Sequence, residues 1–151
     1  MDLKIKALSP KIGTDIPLPS YATAGSAGLD LRACIDAPVT LGGDAPNAAL
    51  VPTGIAAAIP AGYVGLVFPR SGLAIKHGVT LSNSVGVIDS DYRGEIGVGL
   101  VNLSGTPYTI QPGERVAQMA LIPVAQATLT VVGELDETDR GTGGFGSTGR
   151  A

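Results

Sequence analysis

Short apolar runs, separated by Gly, Pro, Asn and Asp, follow one another along most of the chain. Runs of this length with such boundaries are typical of β-strands. Only residues Ser71–His77 resemble a helical turn, with Ser71 as the candidate N-cap. Many short strands at this spacing predict an all-β domain, either a sandwich, a jelly roll or a barrel. The predicted strands are residues 3–7, 29–33, 55–59, 63–68, 85–88, 96–103, 116–122 and 128–132.

The composition supports a single β-domain and limits the partners and the cellular compartment that we expect. The chain has 151 residues, enough for one core, and its 22 Gly and 11 Pro favour tight turns over long helices. With a net charge of -3 and no Lys/Arg-rich block, neither nucleic acid nor an anionic membrane is expected as a partner. Cys34 is the single cysteine, and the start of the chain lacks the apolar core of a signal peptide. We therefore expect a cytoplasmic protein.

The last part of the chain differs from the rest. From Glu134 onward aliphatic residues almost disappear, and an acidic stretch leads into GTGGFGSTGRA. Such a segment buries too little apolar surface to order itself, so a frayed terminus is one interpretation. A second interpretation is an arm that closes over a flat anionic ligand. It is favoured by a lone aromatic residue, Phe145, which lies between Arg140 and Arg150. We divide the chain into a core, residues 1–133, and a flexible arm, residues 134–151.

The segment PRSGLA, residues 69–74, is a candidate anion site. It places Arg70, the Ser71 hydroxyl and the amides of Ser71 and Gly72 at the start of the predicted helical turn. Unpaired N–H groups and the helix dipole favour an anion there. A capped surface turn is the alternative interpretation. The chain has no Walker glycine-rich loop, which excludes a P-loop fold.

The segment GVIDSDYRGEI, residues 86–96, predicts a hairpin that turns at residues 90–94. Its acids, Asp89 and Asp91, could simply be turn residues. Asp91, Arg93 and Glu95 are expected to hold the hairpin or a subunit contact.

Five segments, read together and in order, resemble the motifs of the trimeric deoxyuridine triphosphatase (dUTPase) family. Each alone is weak evidence, but the five in order span nearly the whole chain and are highly specific. The resemblance implies a distorted jelly roll or β-barrel that forms a homotrimer with shared active sites. It also implies hydrolysis of dUTP to dUMP and pyrophosphate with Mg²⁺, which limits uracil in DNA and supplies dUMP. The segments are AGSAGLDLRA (24–33), PRSGLA (69–74), GVIDSDYRGEI (86–96), GERVAQMALIP (113–123) and RGTGGFGSTGR (140–150).

The resemblance assigns catalysis and phosphate binding to particular residues. Asp89 is implied as the general base that polarises a water for attack on the α-phosphorus. Arg70, Ser71 and Gly72 are implied to contact the triphosphate. The arm is implied to contribute Arg140, Ser147 and Thr148 to the β- and γ-phosphates, with Gly146 beside them in the substrate site.

The same resemblance assigns recognition of the nucleoside and the metal. Asn83 reads uracil, Tyr92 lies under the deoxyribose and rejects a 2′-hydroxyl, and Phe145 stacks on the base. Asp30 and Gln118, each on a predicted strand, support the magnesium ion and the phosphates, mainly through water.

Two other functions remain open. A dCTP deaminase would share the fold, but the complete hairpin segment and the aromatic arm favour the hydrolase. A non-catalytic nucleotide-binding module would have no need of Asp89. Cys34 and His77 lack the usual nucleophile–base companions, so we expect Cys34 to pack as a small hydrophobe and His77 to be a turn residue.

Overall fold

The protein is built from short strands, as expected for an all-β chain. The structure, a computed structural model, describes residues 1–144. This part contains eleven strands and one helix, which confirms the all-β prediction. The one helix of residues 1–144 lacks the length and apolar character needed to cross a membrane. The elements are β1 Lys4–Ala7, β2 Leu29–Arg32, β3 Val39–Leu41, β4 Ala48–Pro52, β5 Ile55–Ala58, β6 Tyr63–Pro69, α1 Ser71–His77, β7 Val79–Leu81, β8 Gly86–Ile88, β9 Gly97–Asn102, β10 Tyr108–Ile110 and β11 Arg115–Pro123.

A four-stranded antiparallel sheet organises the molecule. Its order is β2-β11-β6-β8, and the two longest strands, β6 and β11, pair along seven residues at its centre. A three-stranded sheet, β4-β9-β7, and two strand pairs, β1-β5 and β3-β10, complete the fold. Alternate residues of β2 and β9 are buried, because successive side chains of a strand point to opposite faces. The buried faces meet in one core, whose largest side chains include Leu31, Leu41, Ile55, Ile96, Leu100, Ile110 and Met119.

The predicted strand at residues 128–132 is wrong for the single chain. This segment has no strand structure, and its Leu129 and Val131 are 91% and 99% exposed. Its β-branched and apolar residues suit a strand, but a strand forms only where hydrogen-bonding partners lie alongside. Four strands of three to five residues, β3, β4, β7 and β10, were not predicted, because segments this short carry little periodicity.

The predicted hairpin is also wrong. Strand β8 pairs with β6, whereas β9 pairs with β4 and β7, so residues 89–96 connect two sheets. The close approach of β8 to β6 depends on Gly86, where an added Cβ would lie 3.0 Å from Cβ of Val67. A periodic pattern shows which face of a strand is buried, but it does not show which strand lies beside it.

Candidate active site

The start of α1 is open to a ligand. Arg70 has extended backbone angles (φ −90°, ψ 126°) and occupies the N-cap position without a side-chain capping hydrogen bond. Ser71 is the first helical residue, so its prediction as the N-cap is wrong. The chain stays extended through Arg70 because β6 runs directly into it. At the first positions of a helix the backbone N–H groups of Ser71 and Gly72 have no partner within the helix, and a Cβ at Gly72 would meet open space.

Asp30 and Gln118 lie next to this helix start. They are direct partners across the antiparallel strands β2 and β11, which confirms that both are on strands. The Gln118 side-chain amide donates to the carbonyl oxygen of Pro69, at 3.2 Å, where β6 ends. Strand β11 therefore brings Asp30, Gln118 and the PRSGLA segment together, as the resemblance implied.

Two arginines converge on Asp30. Nη1 of Arg115 donates to Asp30 Oδ2 at 3.1 Å, and Nε of Arg70 lies 3.7 Å from Oδ1. Nη1 of Arg70 also donates to the backbone oxygen of Arg115 at 3.1 Å. We call Asp30, Arg70 and Arg115 the arginine cluster. Two cations and one carboxylate leave it with a net positive charge beside the open helix start, an arrangement that attracts an anion.

Sequence reasoning assigned no role to Arg115. The pairing of β11 with β2 shifts register between Arg115 and Ala117, as at a β-bulge. Bulges redirect side chains and are frequent beside functional sites. Here the irregularity directs the Arg115 guanidinium to Asp30 and its carbonyl group to Arg70. The sequence feature that could have indicated a role for Arg115 is its place at the start of a mostly apolar strand, within the segment GERVAQMALIP.

A second contact set lies close to the arginine cluster. The Tyr108 phenol donates to the carboxylate of Glu114, the residue before Arg115, and its ring centroid is 4.7 Å from that of His77. Burial, reinforced by the Glu114 carboxylate, raises the pKa of Tyr108 to about 12. His77 is the last residue of α1 and contacts an aromatic ring, and Cys34 packs against the core as expected.

Asp89 and Tyr92 share a groove on another part of the molecule. Asp89 follows β8, is exposed, and lies with Tyr92 in an open groove of about 470 Å³. Asn83 lines a smaller cavity of about 110 Å³, on the turn before β8. We call the larger space the Asp89 groove. Its other lining residues are Leu50, Pro52, Val87, Ile88, Glu95 and Gly97, of which Val87, Ile88 and Gly97 also line the smaller cavity.

One chain does not bring the Asp89 groove to the arginine cluster. Ile88 pairs with Gly65, so Asp89 lies opposite Val64 near the start of β6, whereas Arg70 follows the end of β6. Six residues of strand at about 3.3 Å each separate the two levels by about 20 Å. The two groups therefore lie at opposite ends of β6 within one chain.

Of the arm residues expected to contact substrate, Arg140 is described and the others lie beyond residue 144. Arg140 is exposed, and its Nε donates to the carbonyl oxygen of Gly143 at 2.8 Å. The substrate contacts expected for Phe145, Gly146, Ser147 and Thr148 lie outside the described residues 1–144.

The donor atoms present suit a magnesium ion held largely by its ligand. Among residues 1–144, no group of three or more His, Cys, Asp or Glu side chains could hold a metal ion. Both oxygens of Asp30 already contact arginines, so support through bridging water is the role that this carboxylate fits. Magnesium retains water readily and is commonly held through substrate phosphates rather than by an all-protein cage.

The fold as a whole is that of solved dUTPase structures. The chain is similar to the dUTPase of Staphylococcus bacteriophage 80alpha with dUPNHPP, with a TM-score of 0.82 and 28% identity over 98% of both chains. It is also similar to a mutant dUTPase of phage phi11 of S. aureus, described with a structural Mg(II) ion, at a TM-score of 0.74 and 25% identity. That match covers 89% of this chain and 98% of the phage chain. These similarities confirm the expected jelly-roll type of fold.

Sequence comparison identifies the family. The dUTPase family model matches residues 14–149. The chain is 51% identical to a deoxyuridine 5′-triphosphate nucleotidohydrolase of Idiomarina loihiensis, over 99% of this chain and 98% of the relative. It is 52% identical to the protein of the same name from Tolumonas auensis, over 98% and 97% of the two chains. The chain belongs to the dUTPase family, as the five segments indicated.

Proposed function

We propose that this protein hydrolyses dUTP to dUMP and pyrophosphate, an activity that limits uracil in DNA and supplies dUMP for dTMP synthesis. The observation that carries the proposal is the combination of an exposed carboxylate and a tyrosine in one groove with a cationic cluster at an open helix start. A groove with Asp89 and Tyr92 suits the sugar and α-phosphate end of a nucleotide. The arginine cluster suits its phosphate chain.

In this proposal Asp89 is the general base. From the groove its carboxylate can orient a water and accept its proton during attack on the α-phosphorus. Arg70 binds the triphosphate, while the hydroxyl of Ser71 and the N–H groups of Ser71 and Gly72 stabilise charge on the departing pyrophosphate. A bound Mg²⁺ would neutralise phosphate charge, supported by Asp30 and Gln118 through water.

Selection of the nucleotide is assigned to the segment around β8. Asn83 and nearby backbone groups present a hydrogen-bonding pattern that uracil satisfies and cytosine does not, and unpaired polar groups make such discrimination large. The Tyr92 ring lies against the deoxyribose, where a 2′-hydroxyl would collide with it. Phe145 then covers the base, and Arg140, Gly146, Ser147 and Thr148 close over the phosphates.

We further propose a homotrimer in which each active site is shared. The separation of about 20 Å between Asp89 and Arg70 along β6 supports this, because the groove of one chain and the cluster of another can come closer together than the two do within one chain. Exposed apolar residues at 128–132 offer a segment for contact with a neighbouring chain. Residues 134–151 act as the arm of a core formed by residues 1–133, and the protein acts in the cytoplasm.

The direct test is pyrophosphate release from dUTP, dTTP, dCTP and UTP, each with and without Mg²⁺. We expect rapid release from dUTP with Mg²⁺ and little from the other three. Asp89→Asn should retain dUPNHPP binding while lowering kcat by about 10²–10⁴, because Asn is nearly isosteric but cannot accept the proton. Ammonia released from dCTP would identify a deaminase instead. Nucleotide binding without pyrophosphate release would identify a binding module.

A further inference from the structure

We propose that Glu95 is a positioning residue that holds the Tyr92 ring in place and thereby sets the preference for deoxyribose over ribose. The inference rests on the proposed function, since it deepens the role of Tyr92 there. It concerns a latch, which we define as the hydrogen bonds that join residues 92–96 to the turn between β4 and β5.

The carboxylate of Glu95 provides the first part of the latch. Its Oε1 accepts the backbone N–H of Gly54 at 2.7 Å. Gly54 has φ +69°, and an added Cβ would lie 2.6 Å from Sγ of Cys34, so this turn is confined by its own conformation and by the packing below it. Beside it, the buried Thr53 hydroxyl donates to the carbonyl oxygen of Ile96. Glu95 is therefore attached to a part of the core that has little freedom to move.

The backbone of Glu95 provides the second part. The Tyr92 hydroxyl donates to the carbonyl oxygen of Glu95 at 2.9 Å, and the Tyr92 N–H donates to the carbonyl oxygen of Asp89 at 3.2 Å. The ring lies directly over Gly94, where an added Cβ would be 2.4 Å from the phenol oxygen. One residue thus contacts the core through its side chain and the tyrosine through its backbone.

The latch matters because Tyr92 has little other support. The residue is 44% exposed at the edge of the Asp89 groove. A ring that rejects a 2′-hydroxyl by collision discriminates only if it cannot move aside, because any displacement lowers the cost of admitting the larger sugar. Glu95, which lines the same groove, supplies that resistance through its bonds to Gly54 and Tyr92.

The test compares kcat/KM for dUTP and UTP in the full-length protein. For Glu95→Ala we expect the dUTP/UTP ratio to fall about tenfold or more, chiefly through a rise in kcat/KM for UTP. Glu95→Gln keeps an oxygen that accepts the Gly54 N–H and should restore most of the ratio. The matched control is Asp44→Ala, an exposed acid on the connection between β3 and β4, which should leave the ratio unchanged.

A parallel fall in both kcat/KM values, or an unchanged ratio in folded Glu95→Ala, would overturn the proposal, because a purely structural residue gives no selective gain for UTP. Gly94→Ala provides a second variant that leaves the carboxylate contact intact and displaces the ring, and it should lower the ratio in the same direction.

A binding-independent measurement separates this inference from the proposed function. The chain has 4 Tyr, so fluorotyrosine labelling gives a small set of ¹⁹F signals in which Tyr92→Phe identifies that of Tyr92. We expect this signal to shift and narrow towards that of a mobile ring in Glu95→Ala but not in Glu95→Gln. An unaltered signal in Glu95→Ala would refute the latch. Wild-type protein inactive on dUTP would refute the proposed function, while the signal would still report on the latch.

Discussion

Mixing two inactive variants tests whether one active site draws on two chains. We consider Asp89→Asn, which lacks the base, and Arg70→Ala, which lacks the phosphate contact. Each alone should retain at most about 1% of wild-type kcat, since losing a general base or a charged phosphate contact typically costs 10² or more. The separation of about 20 Å along β6 favours a working site in which the two residues come from different chains.

The expected recovery follows from counting. In random trimers made from equal amounts of both variants, a site works only if its cluster comes from an Asp89→Asn chain and its groove from an Arg70→Ala chain. Each choice has a chance of about one half, so about one quarter of the sites should be active in a closed ring of identical contacts. An equal mixture of wild type and Asp89→Asn is the matched control and should show about one half.

The assay is pyrophosphate release after subunit exchange, with the composition of the trimers verified by native mass spectrometry. Recovery near one quarter of the wild-type rate supports the shared site. If verified mixed trimers stay at the level of the separate variants, Asp89 and Arg70 act from the same chain and the geometric reasoning fails. If the protein is not a trimer, the mass measurement shows it directly.

Three further predictions concern other parts of the molecule. Ending the chain at Asp139 should leave a folded oligomer with severely reduced activity, because the last strand of residues 1–144 ends at Pro123; unfolding of this variant at much lower urea concentrations would contradict the assignment of this segment as a separate arm. Arg115→Ala should raise KM for dUTP by about fivefold, equivalent to about 1 kcal/mol, because the freed Asp30 carboxylate would draw Arg70 from the phosphates; steady-state kinetics should show partial rescue by Arg115→Lys. Tyr108 has a folded-state pKa of about 12 against an ordinary 10.0, so its stabilising contribution is complete below pH 10 and is lost as the pH rises from 10 to 12. Urea unfolding should therefore show a steeper loss of stability across that range in wild type than in Tyr108→Phe.

Much about this protein is determined by local sequence. The short alternating runs and the abundant Gly and Pro identified the all-β class, and Ser71–His77 was predicted as the helical segment with the bounds that the structure has. The resemblance of five segments identified the family. It also assigned Asp30, Arg70 and Gln118 together to binding of the phosphates and the metal ion. These features follow from side-chain periodicity, turn preferences and residue identity, which are properties of neighbours along the chain.

Other features depend on contacts between distant segments. The pairing of β8 with β6 rather than β9, the register shift that directs Arg115 to Asp30, and the bond from Gly54 to Glu95 each join residues far apart in sequence. The lack of a strand at residues 128–132 has the same origin, because β-propensity describes a residue while a strand requires a partner. The separation of Asp89 from Arg70 is likewise a matter of strand register, which hydrogen bonding and core packing select only when the whole chain has folded.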